Sequence, residues 1–219
     1  MADEILYFSN IKIFGVYVFQ GCDEIKGADK VELAGDLRYK ITYENGCMTK
    51  LETQRNSVTV DAFPSFPAFI YFLHGQDSIT ITFADSQNVP KRYRNIETCV
   101  LKATPQSTAS TAAEGAEYTA LFYTGGKRVA DEEGIYEIVY RFADAAVSRI
   151  IAERYLGQNG RPVELRGIDW KGVECGSPGP ESYYYYSAVQ YGYDDKNELM
   201  KEEYLNAAGT VMYMQSVKQ

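Results

Sequence analysis

Ile150-Ile151-Ala152-Glu153-Arg154-Tyr155-Leu156-Gly157-Gln158-Asn159-Gly160-Arg161-Pro162-Val163 lies without a gap over Leu199-Met200-Lys201-Glu202-Glu203-Tyr204-Leu205-Asn206-Ala207-Ala208-Gly209-Thr210-Val211-Met212. The Glu, the Tyr-Leu pair and the second Gly coincide, and the apolar positions agree in kind. An internal repeat of this length reads as copies of one supersecondary unit, and such arrays present surfaces rather than enclose catalytic pockets. Taken locally, each copy has two readings. As a helix, the first runs from Asp144 as N-cap to Gly157 as C-terminal stop, with Val147, Ile150, Ile151 and Tyr155 on one face. The second follows suit over residues 195–209, with Leu199, Met200 and Tyr204 inward. As strands, Asp194-Asp195-Lys196-Asn197 turns Tyr191-Gly192-Tyr193 into Leu199–Leu205, and Ala207-Ala208-Gly209 turns again before Thr210-Val211-Met212-Tyr213.

Working outward, the rest of the chain reads as strands and turns. Ile11 to Phe19 and Arg38 to Tyr43 are rich in β-branched and aromatic residues. Glu44-Asn45-Gly46 is a hairpin signal, because Asn-Gly supplies the positive φ angles of a type I′ turn. Cys47 to Val60 continues as one or two strands, and Ser78-Ile79-Thr80-Ile81-Thr82-Phe83 alternates with period two. The most apolar stretch, Ala62 to Leu73, carries Pro64 and Pro67, which bar its first half from a central strand or helix interior; it reads as a buried crossing segment, with a short helix after Pro67 or an exposed, functional apolar loop as the alternatives. Residues 103–117 are small and polar, the sharpest composition shift in the chain, and read as a linker or mobile loop. They divide an N-terminal β-rich unit, residues 1–102, from a repeat-bearing unit, residues 118–219. Tyr118 to Tyr123, Gly125-Gly126 and residues 134–142 read as a further hairpin.

Tyr193-Asp194-Asp195-Lys196-Asn197-Glu198-Leu199, then Glu202-Glu203-Tyr204-Leu205 and Gly209, resembles the Tyr-Asp-type repeats of bacterial surface and toxin-associated proteins. The first copy supplies the Gly-Arg-Pro-Val ending of such units at Gly160–Val163. The resemblance covers about a third of the chain and extends to the hairpin arrays of MORN-variant antitoxin proteins. It favours the strand reading, although the copies stand wider apart than the usual unit and Arg141-Phe142-Ala143-Asp144 replaces the Tyr-Asp turn in the first. It implies a binding role, of surface or immunity type. The hairpin around Tyr43 is a distant third copy on the strength of its turn.

Composition narrows the function classes. With 30 acidic and 22 basic residues the chain carries a formal charge of −8. That repels a nucleic-acid backbone and suits a basic protein partner. No run approaches the ~20 apolar residues of a membrane helix. The start, Met1-Ala2-Asp3-Glu4, is acidic where a signal peptide would be basic. The expected compartment is therefore cytoplasmic, or periplasmic or surface if a signal precedes the sequence. Cys22, Cys47, Cys99 and Cys175 are scattered without a C-x-x-C pair, so free thiols are expected and no metal or cofactor is implied. The sole histidine, His74, stands at the end of an apolar run before Gly75, a turn position rather than a triad member. Asp131-Glu132-Glu133, Asp194-Asp195 and Glu202-Glu203 lack calcium-loop spacing and read as solvated turns. No catalytic residue is assigned.

Nineteen tyrosines against one tryptophan set the chain apart. Tyrosine fills β-sheets well and also serves recognition surfaces. The densest group follows a Gly/Pro-rich loop: Trp170, then Tyr183, Tyr184, Tyr185 and Tyr186, with Tyr191 and Tyr193 beyond. In a strand, consecutive tyrosines face opposite sides, so one pair enters the core and the other contacts a neighbouring layer or a partner. These seven residues are the candidate binding set. The fold expected is mainly β, with β-rich α+β as the variant: an antiparallel meander of repeated hairpins with one or two short helices. The function expected is non-enzymatic protein binding, with glycan or peptide binding at the cell envelope second and a carboxylate-based hydrolase third.

Overall fold

The computed structural model describes residues 3–15, 18–26, 37–62, 66–104, 116–143, 149–169, 182–196 and 198–217. The chain is almost wholly antiparallel β, with no α-helix among the described residues. Its strands are β1 (Glu4–Phe14), β2 (Val18–Glu24), β3 (Leu37–Glu44), β4 (Cys47–Arg55), β5 (Val58–Thr59), β6 (Phe69–His74), β7 (Ser78–Ala84), β8 (Thr98–Ala103) and β9 (Glu117–Thr124). There follow β10 (Lys127–Arg128), β11 (Glu137–Phe142), β12 (Ile150–Leu156), β13 (Leu165–Ile168), β14 (Tyr183–Tyr186), β15 (Ala188–Tyr193), β16 (Leu199–Leu205) and β17 (Val211–Ser216). Fifteen of them join one sheet in the order β17-β16-β15-β12-β11-β9-β8-β7-β6-β4-β3-β1-β2, with β10 paired to β9 and β5 to β4. A separate ribbon pairs β13 with β14. The chain divides into two compact units, residues 1–102 with 120–131, and residues 103–119 with 132–219.

In the first unit the turns follow local chemistry. Asn45 and Gly46 take φ of 52° and 81° between β3 and β4, and Gly125 and Gly126 take 57° and 74° between β9 and β10, as primed hairpin turns require. Ile41, Leu51, Ile70 and Phe83 pair directly from β3 to β7 and are fully or almost fully buried. This row is the centre of the unit's core. Phe66, on the crossing segment, meets Phe19, Tyr39 and Tyr93 edge-on. The apolar stretch is thus largely buried: Ala62, Pro67, Ala68 and Ile70 are inside, and its end, Leu73, is exposed. On the other face of β4, Glu52 is buried and accepts from Gln54 Nε2 at 2.8 Å and Thr59 Oγ1 at 2.6 Å, with Lys50 Nζ 3.1 Å away. Burial opposes ionisation there, but these donors hold its carboxyl below the usual carboxylate range.

In the second unit both repeat copies are strands followed by turns. β12 and β16 cover the same seven aligned positions. Each is followed by a turn closed by the same pair of backbone bonds. Gly157 N donates to Arg161 O and Gly160 N to Gly157 O; likewise Asn206 N donates to Thr210 O and Gly209 N to Asn206 O. Gly160 and Gly209 sit at φ of 70° and 79°, which is why glycine recurs there. Upstream, the hairpins β11–β12 and β15–β16 each carry a bulge at the same aligned position, beside Phe142 and Tyr193. The hairpin β3–β4 has one beside Tyr43. The helix reading of 150–156 and 199–205 therefore gives way to strands. Residues 144–148, where its N-terminal turn would fall, the linker segment 105–115 and the loop 170–181 lie outside the described residues.

Candidate functional site

Pairing across the second unit sorts the side chains of its sheet into two faces. Tyr140, Glu153, Val189, Tyr204 and Tyr213 form one continuous cross-strand row from β11 to β17. Tyr191 and Glu202 pair in a neighbouring row on the same face. The ribbon β13–β14 lies over this face. Tyr184 stacks on Tyr213 with centroids 4.4 Å apart and meets Tyr204 edge-on at 5.4 Å, while Tyr186 meets Tyr204 at 5.0 Å and Tyr155 at 5.9 Å. Gly167 is what lets the ribbon pair so closely. A Cβ there would come within 2.1 Å of the Tyr184 ring.

Two carboxylates are buried among these rings. Glu153, 2% exposed, accepts from Tyr155 Oη at 2.5 Å and Tyr191 Oη at 2.7 Å on the same oxygen. Glu202, 4% exposed, accepts from Tyr204 Oη at 2.7 Å. In both copies the tyrosine stands two residues after its glutamate, and the period of two places them on one face. Burial, then the charge of Glu153, pushes the Tyr155 and Tyr191 hydroxyls well above the ordinary tyrosine value. Burial, then the hydrogen bond to Glu202, does the same for Tyr204. Tyr184 and Tyr193 are pushed up to about 12, chiefly by burial.

Of the seven candidate residues, the structure brings Tyr184, Tyr186 and Tyr191 into this cluster. Tyr193 donates to Ile150 O at 2.8 Å with Arg149 over its ring. Tyr185 is 51% exposed and Tyr183 lies against the Arg166 guanidinium, so alternation along β14 is as expected, with the even-numbered pair inward. Trp170 lies outside the described residues. His74 is exposed, and its Nε2 donates to Met48 O at 2.7 Å. Cys99 is a free, buried thiol whose pKa burial pushes far up, and Cys47 is free and exposed.

The reading of Asp131 and Glu202-Glu203 as solvated turns gives way: Asp131 is buried and paired with Arg94, and Glu202 is buried within β16. Sequence reasoning thus missed the buried glutamates as hydrogen-bond hubs, although the repeat displays them as Glu-x-Tyr. Nor did it find the edge at β17. This strand ends the sheet order, and no strand pairs with its outer side among the described residues. Val211, Met212 and Met214 are each about half exposed along it, and Val211–Ser216 holds no charged residue. Among the described residues no group of three or more His, Cys, Asp or Glu is placed to hold a metal ion, and no helix is long and apolar enough to cross a membrane. Comparison of the chain with protein-family models, with curated proteins and with solved structures finds no match.

Proposed function

We propose that this chain is a non-catalytic protein-binding protein that engages a basic partner along the outer edge of β17. One observation carries the reading. An edge strand is a template for another chain, and proteins ordinarily blunt it with charge, proline or a cover; Val211–Ser216 holds neither charge nor proline, no strand pairs with its outer side among the described residues, and Val211, Met212 and Met214 are exposed. Methionine is adaptable and suits contact surfaces that must repack. The formal charge of −8 selects the partner's sign by steering and by penalising acidic competitors. The resemblance to toxin-associated repeats makes immunity-type occlusion of a basic protein the sharpest form of this reading. The edge would add an extended segment of the partner as a further strand.

Affinity capture with the full chain, followed by binding measurements on the purified partner, tests it. A basic protein is expected to bind, more weakly as salt is added, and Met212→Lys with Met214→Lys is expected to weaken it by about tenfold or more, a difference of ~1.4 kcal/mol. Tyr185→Ala serves as the comparison on the exposed side of the ribbon. A partner whose affinity is untouched by the edge substitutions but lost with Tyr185 would move the interface to the ribbon and overturn the assignment to β17.

A further inference from the structure

The face of the second unit opposite the tyrosine rows carries a groove of about 420 Å³. Its floor is made of small residues. Ala152 pairs with Arg141 on one side and Gln190 on the other, while in the next row Arg154 lies between Val139 and Ala188. Arg141, Arg154 and Gln190 are exposed and stand above Ala152 and Ala188, and all of them line the groove. Arg141 and Arg154 are diagonal neighbours across β11 and β12, a spacing of ~7–8 Å at the backbone and within reach for long side chains.

Neither arginine has a side-chain ion pair or hydrogen bond among the described residues. Arg92 and Arg94 are paired with Glu97 and Asp131. Arg38, Arg128, Arg149 and Arg166 lie over tyrosine rings. Acidic residues outnumber basic ones 30 to 22, yet two arginines at diagonal cross-strand positions line one groove, and neither forms an ion pair to a carboxylate among the described residues. Glu117 lines the same groove without forming an ion pair to either. Glu203, which follows Gln190 in the cross-strand row, is held by Lys201 at 3.1 Å. Two like charges on neighbouring strands repel, and an anion held by both relieves that repulsion. The guanidinium fork matches carboxylate and phosphate oxygens in a bidentate way. Gln190 adds an amide donor, and the Ala152 and Ala188 methyl groups leave room for the body of a ligand.

We propose that this groove is a binding site for a small oxyanion ligand, its carboxylate or phosphate group gripped by Arg141 and Arg154. The ligand's carbon frame then rests on Ala152 and Ala188. This assignment is independent of the β17 interface.

The test is titration of the full chain at low ionic strength with two probes, glutarate and inorganic phosphate, followed by calorimetry and by amide resonances of β11, β12 and β15. Saturable binding of at least one probe is expected, with shifts centred on Ala152 and Ala188. Glutarate binding without phosphate binding identifies a carboxylate ligand, and the reverse identifies a phosphate. Arg141→Gln and Arg154→Gln should each weaken binding about tenfold or more, and Ala152→Glu, which sets a carboxylate directly across from Arg141 and two residues from Arg154 on the same face, should abolish it. Lys102→Gln, an exposed charge outside the groove, should change nothing. The proposal is overturned if neither probe saturates at millimolar concentration. It is equally overturned if the arginine variants, folded by circular dichroism, bind as the parent does, or if Lys102→Gln weakens binding as much as they do.

Discussion

Glu153 shows what one residue does for the second unit. A carboxylate that is 2% exposed survives burial because hydroxyl donors replace water, and two of those donors, Tyr155 and Tyr191, share a single oxygen. Each hydrogen bond to a charged group contributes about 1.5–3 kcal/mol. Tyr155→Phe and Tyr191→Phe are therefore each expected to lower unfolding free energy by about 1–3 kcal/mol in urea titrations. Because both donors serve one acceptor, the double substitution should depart from the sum of the singles. Glu153→Gln keeps an acceptor and should cost less than Glu153→Ala, which strands two buried hydroxyls. Losses below a few tenths of a kcal/mol for both tyrosines would show that the glutamate is not their acceptor in solution.

At the scale of the element, the repeat copies and the ribbon make different demands on glycine. At Gly160 and Gly209 the added Cβ meets nothing within 4 Å and the obstacle is the positive φ alone, so alanine there should cost about 1–2 kcal/mol. At Gly167 the methyl would overlap the Tyr184 ring at 2.1 Å. That ring must leave its stack on Tyr213, so Gly167→Ala should cost more than Gly209→Ala and reduce the near-ultraviolet tyrosine dichroism. Equal stability of the two variants would mean the ribbon does not rest on the sheet. The turns were legible in the sequence, since Asn45-Gly46, Gly125-Gly126, Gly160 and Gly209 carry their own conformational reasons. Helix or strand was not legible for the repeat, and the bulges explain why. An extra residue at Ile151 and at Met200 resets the alternation. The apolar residues Ile150, Ile151 and Tyr155, like Leu199, Met200 and Tyr204, then fall at a spacing that imitates a helical face. The alternation of Tyr183–Tyr186 was likewise legible, but which pair turned inward depended on β13 and on the sheet beneath. The arginine groove escaped notice because Arg141 and Arg154 come together only through register.

On the scale of the whole molecule, the tyrosines that gave the chain its unusual composition tie its stability to alkaline pH. Tyr155, Tyr191 and Tyr204 have hydroxyl pKa values well above the ordinary range, Tyr184 and Tyr193 lie at about 12, and Tyr39, Tyr43 and Tyr213 are raised as well. A tyrosine whose folded pKa exceeds the unfolded value of about 10 holds its proton more tightly in the folded chain. Its contribution is fully present below about pH 10 and is lost as pH rises through the folded value, because the unfolded chain then binds fewer protons. Stability should accordingly be flat on this account through neutral pH and fall steeply above about pH 10. Absorbance titration should resolve two classes among the 19 tyrosines: one that ionises while the β-sheet circular dichroism is intact, and one whose phenolate signal appears only together with the loss of that dichroism. The buried glutamates strengthen that coupling, since their charge opposes a second negative charge beside them, and Glu153→Gln should bring part of the late class to lower pH. If all the tyrosines ionised as one class while the dichroism stayed unchanged, the hydroxyl–carboxylate core would have to be discarded.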